Sequence, residues 1–182
     1  MTVHVVFETH STSVDNERGI ATGWLPGELS ETGRANARAL GERRRDDGVA
    51  AVFTSDLRRA VETAEIAFGS SGIPVFEDPR LRECDYGDLN GMRLEQLLAE
   101  RAYRIDAPYP GGESYRDVVE RVRGFLDDLA RDRDGQRVVV IGHSATRWAL
   151  DHLLTGTPLD ELVDAPFAWQ EGWEYELASA PR

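Results

Sequence analysis

The chain has 182 residues, a length that suits a single domain with a substantial core. Its net charge of −12 argues against nucleic acids and anionic membranes as partners, because both attract basic surfaces. Cys84 is the only cysteine, so the chain can form neither an internal disulfide nor a metal site of several thiolates. The sequence shows no secretion signal and no apolar run of roughly 18 residues, so we expect a cytoplasmic protein.

The first predicted element is a buried strand formed by the apolar residues Val3, Val5, Val6 and Phe7. It ends abruptly in six residues with polar or ionisable side chains, Glu8-Thr9-His10-Ser11-Thr12-Ser13. Open α/β sheets bind their ligands at the carboxyl edge of such strands. Two interpretations of the segment stay open at this point: an ordinary polar turn, and a catalytic loop centred on His10.

After this strand, helices and strands alternate along the chain. The predicted helices keep apolar residues three or four positions apart; they cover Ser30–Arg45, Leu57–Phe68, Leu94–Arg101, a long segment from Glu113 or Ser114 to Leu129, and Ser144–Leu154. The predicted strands are short apolar runs; they are Ala50–Phe53, Pro74–Phe76, Arg137–Ile141 and an edge strand within Trp169–Leu177. The stretch Leu81–Gly91 has no clean period and is predicted to be extended chain and loop.

In the helix after Ser30 we expect Ala35, Ala39 and Leu40 to face the core, and we expect Ser55 or Asp56 to cap the next helix. Strands that alternate with helices form a largely parallel sheet that is covered on both sides. We therefore predict one α/β domain over residues 1–182. Its architecture should be a three-layer sandwich, with a central, mostly parallel sheet and helices on both faces.

Two of the four histidines lie where predicted central strands end, His10 after the first strand and His143 after the last central one. The helix that begins at Ser144 offers free N–H groups and a dipole, which favour an anion. Arg59 lies in the first turn of the helix after the second strand, and a guanidinium can grip two phosphate oxygens. Judged from its position alone, Arg59 is also consistent with an arginine on the solvated surface of a helix. Glu83 is likewise consistent with a carboxylate in an exposed loop.

A series of ordered motifs carries a family resemblance. The first is Thr9-His10-Ser11-Thr12-Ser13 with Asn16, where the family has Arg-His-Gly-Glu-Thr, two residues and Asn. The others are GWLPGELSETGRANA at Gly23–Ala37, Ser55–Ala60 with Thr63-Ala64, Leu81-Arg82-Glu83 with Tyr86-Gly87, and the later landmarks Pro110–Ser114 and Gly142-His143. In this order the chain resembles the histidine phosphatase superfamily, the phosphoglycerate mutase-like proteins, over most of its length.

The first motif departs from the family pattern. The arginine that precedes the family's first histidine is Thr9 here, and Glu8 places a negative charge beside it. A charge-assisted hydrogen bond contributes about 1.5–3 kcal/mol, so the loss of one phosphate-gripping arginine should lower binding or rate about tenfold to several hundredfold. Arg18 and Arg147 are close enough to the site in sequence to offer compensation.

The resemblance implies a metal-independent phosphatase without a cofactor, which acts on a small phosphorylated metabolite through a phosphohistidine. It implies that His10 is the nucleophile, that Arg59 and His143 stabilise charge on the phosphoryl oxygens, and that Glu83 is the acid and base. The substrate contacts that it implies come from Ser11, Asn16, Arg59 and Ser144. We expect weak activity because of Thr9, no nucleic-acid or membrane partner, and a monomer or homodimer.

Two other functions stay open. A phosphoglycerate mutase is less favoured, because the resemblance implies that mutases are longer and carry extra covering segments. A degenerate family member that binds an anion or a protein partner would account for Thr9, but it would not need both a nucleophile and an acid. A serine hydrolase is excluded, because a nucleophile elbow at Ser144 requires glycine where Thr146 stands. The only later histidine, His152, lies about 12 Å further along the same helix.

Overall fold

The computed structural model describes residues 2–178, whose centre is a five-stranded sheet. The strands, numbered in chain order, are β1 Thr2–Thr9, β2 Ile20–Ala21, β3 Val49–Thr54, β4 Val75–Glu77, β5 Met92–Arg93, β6 Arg137–Gly142 and β7 Trp173–Ala178. The order in the central sheet is β4–β3–β6–β1–β7, with β7 antiparallel to β1 and the other pairs parallel. The β2 and β5 strands form a separate antiparallel ribbon. The domain predicted over residues 1–182 includes both chain ends, which lie outside the described residues.

The helices of the described chain are α1 Val14–Glu17, α2 Glu31–Arg44, α3 Arg58–Phe68, α4 Leu94–Glu100, α5 Tyr115–Asp132, α6 Ser144–Thr155 and α7 Leu159–Asp164. Two of the longer helices begin at side-chain caps. The Ser30 hydroxyl accepts a hydrogen bond from the N–H of Gly33, and Ser114 and Asp117 form a capping box before α5. Within residues 2–178, no helix combines the length and the apolar character needed to cross a membrane.

Helices cover both faces of the central sheet. In β6, Val138 and Val140 belong to the larger apolar cluster, which α5 and α6 complete on one face. Val139 and Ile141 belong to the smaller cluster on the opposite face, which α2 and α3 complete. A strand that is covered on both sides needs no polar face, which explains the unbroken apolar run in the sequence. The predicted three-layer α/β sandwich with a mostly parallel sheet is confirmed.

The predicted inward face of α2 is partly wrong. Leu40 is buried as expected, but Ala35 and Ala39 are exposed. The buried positions of this helix also include Gly33 and Arg44, which have contacts that alanine spacing does not reveal. Gly33 packs against the main chain of the loop after β1, and Arg44 forms buried ion pairs, so these two contacts set the rotation of the helix.

The predicted cap of α3 is also wrong. The N-cap residue is Leu57, and its side chain makes no capping hydrogen bond. The Ser55 hydroxyl accepts a hydrogen bond from the N–H of Leu57 at 3.2 Å, and it also contacts His143. A serine just before a helix is therefore used here to hold a histidine at the sheet edge.

Candidate active site

The ends of two neighbouring parallel strands bring His10 and His143 together. Thr9 and Gly142 are paired at the carboxyl ends of β1 and β6, and the N–H of His10 donates to the carbonyl of Gly142 at 2.9 Å. The two imidazole ring centres lie 5.0 Å apart. One phosphoryl group can contact both rings at this separation, because hydrogen-bond distances are near 3 Å on each side.

Arg59 lies between the two imidazoles. Its Nε donates to Nε2 of His10 at 3.3 Å, and its Nη2 lies 3.3 Å from Nδ1 of His143 and donates to the carbonyl of Gly23 at 2.9 Å. The third nitrogen, Nη1, is buried and has no hydrogen-bond partner among the described residues. An unpaired buried guanidinium nitrogen is energetically unfavourable, so it indicates a donor that an anionic ligand would satisfy.

The tautomer of His10 follows from its contacts. Its Nδ1 lies 2.7 Å from the carbonyl of Ser11, which can only accept, so Nδ1 carries the proton. Nε2 therefore presents a lone pair, which receives the hydrogen bond from Arg59. Burial and the positive charge of Arg59 lower the pKa of His10 to about 3. The imidazole is thus neutral at pH 7, as a nucleophile must be.

His143 is held in the opposite tautomer. Its Nε2 is 2.9 Å from the Ser55 hydroxyl and donates to it, while Nδ1 accepts from Arg59. Burial, with the charge of Arg59, brings the pKa of His143 well below its ordinary value of 6.5. Both imidazoles are therefore neutral and turn a lone pair towards the same guanidinium.

Glu83 lies in the loop before Tyr86, and it is buried next to the start of α6. Its Oε1 accepts hydrogen bonds from the N–H groups of Cys84 at 2.8 Å and Ala145 at 3.2 Å. Burial raises the pKa of this carboxyl group, although both hydrogen bonds and the charge of Arg59 act in the opposite direction. A carboxyl with a raised pKa beside two neutral histidines is suited to donate and then accept a proton.

The main chain of Glu83 is anchored from two sides. Its carbonyl accepts from Nε1 of Trp24 at 2.7 Å and from Nη2 of Arg121 at 2.9 Å. Arg121 also donates to the carbonyl of Arg80 and forms an ion pair with Glu113. Sequence reasoning missed Arg121, because a periodic pattern only predicts that such a residue lies on a helix.

Thr63 is a second supporting residue that sequence reasoning did not assign to the site. Its hydroxyl oxygen accepts from the N–H of Ser11 at 3.0 Å and donates to the carbonyl of Arg59 at 2.7 Å. Ser11 therefore reaches the site through its main chain, where it fixes both the loop and the tautomer of His10. The available signal was the position of Thr63, one helical turn after Arg59.

The other predicted contacts are placed differently. The side-chain oxygen of Asn16 accepts from the N–H of Ser13 and closes a capping box at α1. No hydrogen bond within residues 2–178 connects this exposed side chain with the two histidines. Ser144 is the half-buried first residue of α6, and Thr9 is half-buried at the end of β1. Among the described residues, neither hydroxyl has a hydrogen-bond partner.

The expected charge of Glu8 beside the site is absent, which corrects the sequence interpretation. Glu8 lies on the opposite face of β1, where its buried carboxylate pairs with Arg44 at 2.7 Å and Arg43 at 3.2 Å. Alternate residues of a strand point to opposite faces, so the neighbour of Thr9 faces α2. Arg18 is exposed, and Arg147 stacks 5.1 Å from the ring centre of Trp173 near β7.

The α/β fold and the pair of neutral histidines at the edge of its sheet are features that can be compared with those of known proteins. The family model "histidine phosphatase superfamily (branch 1)" matches residues 6–170, and the chain belongs to this superfamily.

Curated relatives include a 2,3-bisphosphoglycerate-dependent phosphoglycerate mutase of Methylobacterium sp. strain 4-46, 36% identical over 84% of this chain and 80% of the relative. Similar solved structures include Bacillus stearothermophilus YhfR, with a TM-score of 0.81 and 28% identity over 93% of this chain and 88% of that one. A mycobacterial glucosyl-3-phosphoglycerate phosphatase has a TM-score of 0.76 and 31% identity over 90% of this chain and 84% of that one.

Proposed function

We propose that this protein hydrolyses phosphomonoesters of small metabolites through a phosphohistidine on His10. The observation that carries the proposal is the state of that imidazole. It is half-buried and neutral, its Nδ1 proton is held by Ser11, and its free Nε2 faces a guanidinium with an unused donor. Such a group combines an activated nucleophile with electrostatic stabilisation at the point where negative charge develops.

In the first step, the Nε2 lone pair of His10 attacks phosphorus and the bond from phosphorus to the ester oxygen breaks. Arg59 transfers its hydrogen bonds from the imidazoles to the phosphoryl oxygens, and His143 lies on the same side. The carboxyl group of Glu83 gives its proton to the departing oxygen, which leaves as an alcohol. Because burial raises the pKa of Glu83, it favours the protonated form that this step requires.

In the second step, the Glu83 carboxylate accepts a proton from water, and the water oxygen attacks phosphorus. The phosphorus–nitrogen bond breaks and its electron pair returns to Nε2 of His10. The products are an alcohol and inorganic phosphate, and Glu83 is protonated again. A covalent intermediate divides one difficult displacement into two easier ones.

The test is a phosphatase screen over sugar phosphates, phosphoglycerates, nucleotides and phosphoamino acids, with His10→Ala as the control. We expect phosphate release from at least one class of ester, and we expect the variant to lose it. Mass spectrometry after a rapid quench should find the phosphoryl group on His10. Turnover that survives in His10→Ala would contradict the proposal.

A phosphoglycerate mutase is the second candidate, because curated relatives with 32–36% identity are named as such mutases. The mycobacterial structure, at 31% identity, is named as a phosphatase. The two reactions differ in the fate of the phosphoryl group, which returns to the substrate in a mutase and passes to water in a hydrolase. The test supplies 3-phosphoglycerate together with 2,3-bisphosphoglycerate and measures two products. Isomerisation yields 2-phosphoglycerate, and hydrolysis yields inorganic phosphate. Dominant isomerisation would favour the mutase.

A binding protein without turnover is the third candidate, and Thr9 is the observation that favours it. If neither the natural protein nor Thr9→Arg exceeds the His10→Ala background on the whole panel, this candidate replaces the hydrolase.

A further inference from the structure

Four of the arginines around the candidate site are already paired with carboxylates. Arg82, next to the acid Glu83, donates to Asp56 from Nε at 2.7 Å and from Nη2, and its guanidinium lies 4.5 Å over the ring of Trp24. Arg121, on the other side of the acid, forms a two-point ion pair with Glu113 at 2.9 and 3.0 Å. A guanidinium held in this fork has little attraction left for a further anion.

The same arrangement holds on the side of the loop before α2. Arg58 pairs with Glu28 at 3.2 Å, and Arg34 pairs with Glu62 at 2.7 Å. Arg59 is the cation that directly contacts the two imidazoles, and a transferred phosphoryl group would occupy its remaining donor.

Two carboxylates near the site, by contrast, accept hydrogen bonds only from neutral groups among the described residues. Asp15 accepts from the Thr22 hydroxyl at 2.8 Å, and Thr22 precedes Gly23, whose carbonyl accepts from Arg59. Burial lowers the pKa of Arg59, and the negative charges of Glu83 and, more weakly, of Asp15 partly offset that effect. The charge of Asp15 therefore acts on the Arg59 guanidinium at the centre of the site.

Asp85 is the second such carboxylate. It accepts from the N–H of Gly87 at 2.9 Å and from the Asn90 side-chain amide at 2.8 Å. The side-chain oxygen of Asn90 in turn accepts from the N–H groups of Trp24 and Tyr86. Asp85 is thus joined, through one amide, to the loop that carries Trp24 beside the acid.

We propose that the substrate is the phosphate ester of an uncharged alcohol, such as a polyol or sugar hydroxyl, and that a carboxylate or second phosphate on the leaving group is selected against. This inference rests on the proposed function. The phosphoryl group satisfies Arg59, so a further anion would meet cations that are already paired. It would also meet Asp15 and Asp85, which form no ion pair with a described residue. Repulsion between these carboxylates and an anionic leaving group should lower kcat/KM about tenfold or more.

Arg18 and Arg93 are the cations next to the β2–β5 ribbon that an anionic leaving group would need. Both are exposed, and neither forms an ion pair with a described carboxylate. Exposed charges are screened by water and salt, so we expect little compensation from them.

The experiment compares two matched pairs of esters that differ only in a CH₂OH group against a carboxylate. The pairs are glycerol 2-phosphate with 2-phosphoglycerate and glycerol 3-phosphate with 3-phosphoglycerate. We expect the ester of the uncharged alcohol in each pair to have a kcat/KM about tenfold higher or more. Added salt should lower this ratio of kcat/KM values, because salt screens the repulsion. Asp15→Asn should reduce the ratio severalfold, whereas Asp127→Asn, an equal charge change on the exposed side of α5, should leave it unchanged.

Equal or higher kcat/KM for the carboxylated esters would overturn the inference. If Arg18→Ser or Arg93→Ser then removed that preference, the exposed arginines would be shown to bind the leaving group. The proposed function is tested separately, because His10-dependent hydrolysis of p-nitrophenyl phosphate does not depend on the ratio within either pair. Failure of that hydrolysis would remove the proposed function, while success with the opposite ratio would remove only the inference.

Discussion

At the scale of single residues, the protonation of Glu83 limits the proposed reaction. Burial raises its pKa above the ordinary value of 4.5, while the pKa of His10 is lowered to about 3. The competent pair is therefore neutral His10 with protonated Glu83, and kcat/KM should fall as pH rises through the raised pKa of Glu83. In Glu83→Gln we expect kcat/KM no longer to fall as pH rises, and we expect kcat for alkyl phosphates to be about 10²–10⁴-fold lower. Initial rates measured over a range of pH test both expectations.

p-Nitrophenyl phosphate provides the control for Glu83, because nitrophenolate departs as a stable anion without a proton. Glu83→Gln should still transfer the phosphoryl group from this ester to His10. Water would not be activated in the second step, so phosphohistidine should accumulate and be visible after acid-free quenching. A variant that forms no phosphohistidine from either type of ester would contradict the assignment of Glu83 as the acid.

Thr9 is the residue at which the sequence predicts a weakened site. Its hydroxyl can donate one neutral hydrogen bond, where a guanidinium would offer a charged fork. Glu8 is already held by Arg43 and Arg44 on the other face of β1, so it should not capture a new arginine. We expect Thr9→Arg to raise kcat/KM for p-nitrophenyl phosphate about tenfold or more, measured by steady-state kinetics.

Thr9→Val is the matched control, because it removes the hydroxyl and adds no charge. It should not raise kcat/KM. If Thr9→Arg instead lowered an already robust activity, the site would have been built around a different cation. Arg18→Ser and Arg147→Met would then be the variants to compare.

At the scale of elements, α2 is seated directly on the loop that carries the proposed nucleophile. A Cβ at Gly33 would lie 1.9 Å from the carbonyl oxygen of Thr12. Replacing glycine by alanine in an open helix position stabilises a protein by up to about 1 kcal/mol. We expect the opposite sign for Gly33→Ala, a loss of about 1–3 kcal/mol in the free energy of unfolding, because the helix must move away from the loop. Urea denaturation measures this free energy of unfolding, and the phosphatase activity should fall in parallel.

Gly124→Ala in α5 is the matched control for Gly33→Ala. A Cβ at Gly124 would meet only Nη1 of Arg80, at 3.9 Å, so this variant should be as stable as the natural protein or more stable. If both variants were stabilised, α2 would not be seated on Thr12 as the structure has it.

The elements that could be predicted from the sequence are those with an internal period or a continuous apolar run. The β6 strand and α5 belong to this group, and their bounds agree with the predictions to within a few residues. The β2–β5 ribbon was not predicted, because strands of two residues carry no period and their pairing joins Ile20 to Arg93. The rotation of α2 was misjudged for a related reason, since long-range contacts at Gly33 and Arg44 decide it.

The same distinction applies to the candidate site. The sequence could indicate His10 and His143 because strand ends of a parallel sheet meet at one edge, and motif order added Arg59 and Glu83. It could not give the direction of a side chain relative to the sheet, so the charge of Glu8 was assigned to the wrong face. It also could not reveal Arg121, whose contact with the carbonyl of Glu83 spans 38 residues.

At the scale of the whole molecule, burial of neutral His10 should make folding depend on pH. Its pKa is about 3 in the folded protein and near 6.5 when the chain is unfolded. Between these values the unfolded chain binds a proton that the folded protein does not, so the free energy of unfolding rises with pH. The contribution of His10 is thus present above pH 6.5 and is lost as pH falls through that value. From pH 7 to pH 5 the loss is about 2 kcal/mol.

We expect His10→Gln to remove this dependence, because glutamine does not titrate. The difference in unfolding free energy between the variant and the natural protein should therefore shift by about 2 kcal/mol in favour of the variant between pH 7 and pH 5. Guanidinium or urea denaturation at each pH measures both proteins, and taking the difference cancels the titration of the many acidic residues. His4→Gln, at an exposed position of β1, is the matched control and should show a smaller shift. A difference that stays constant with pH for His10→Gln would mean that His10 is not held neutral in the folded protein, and its assignment as the nucleophile would lose its physical basis.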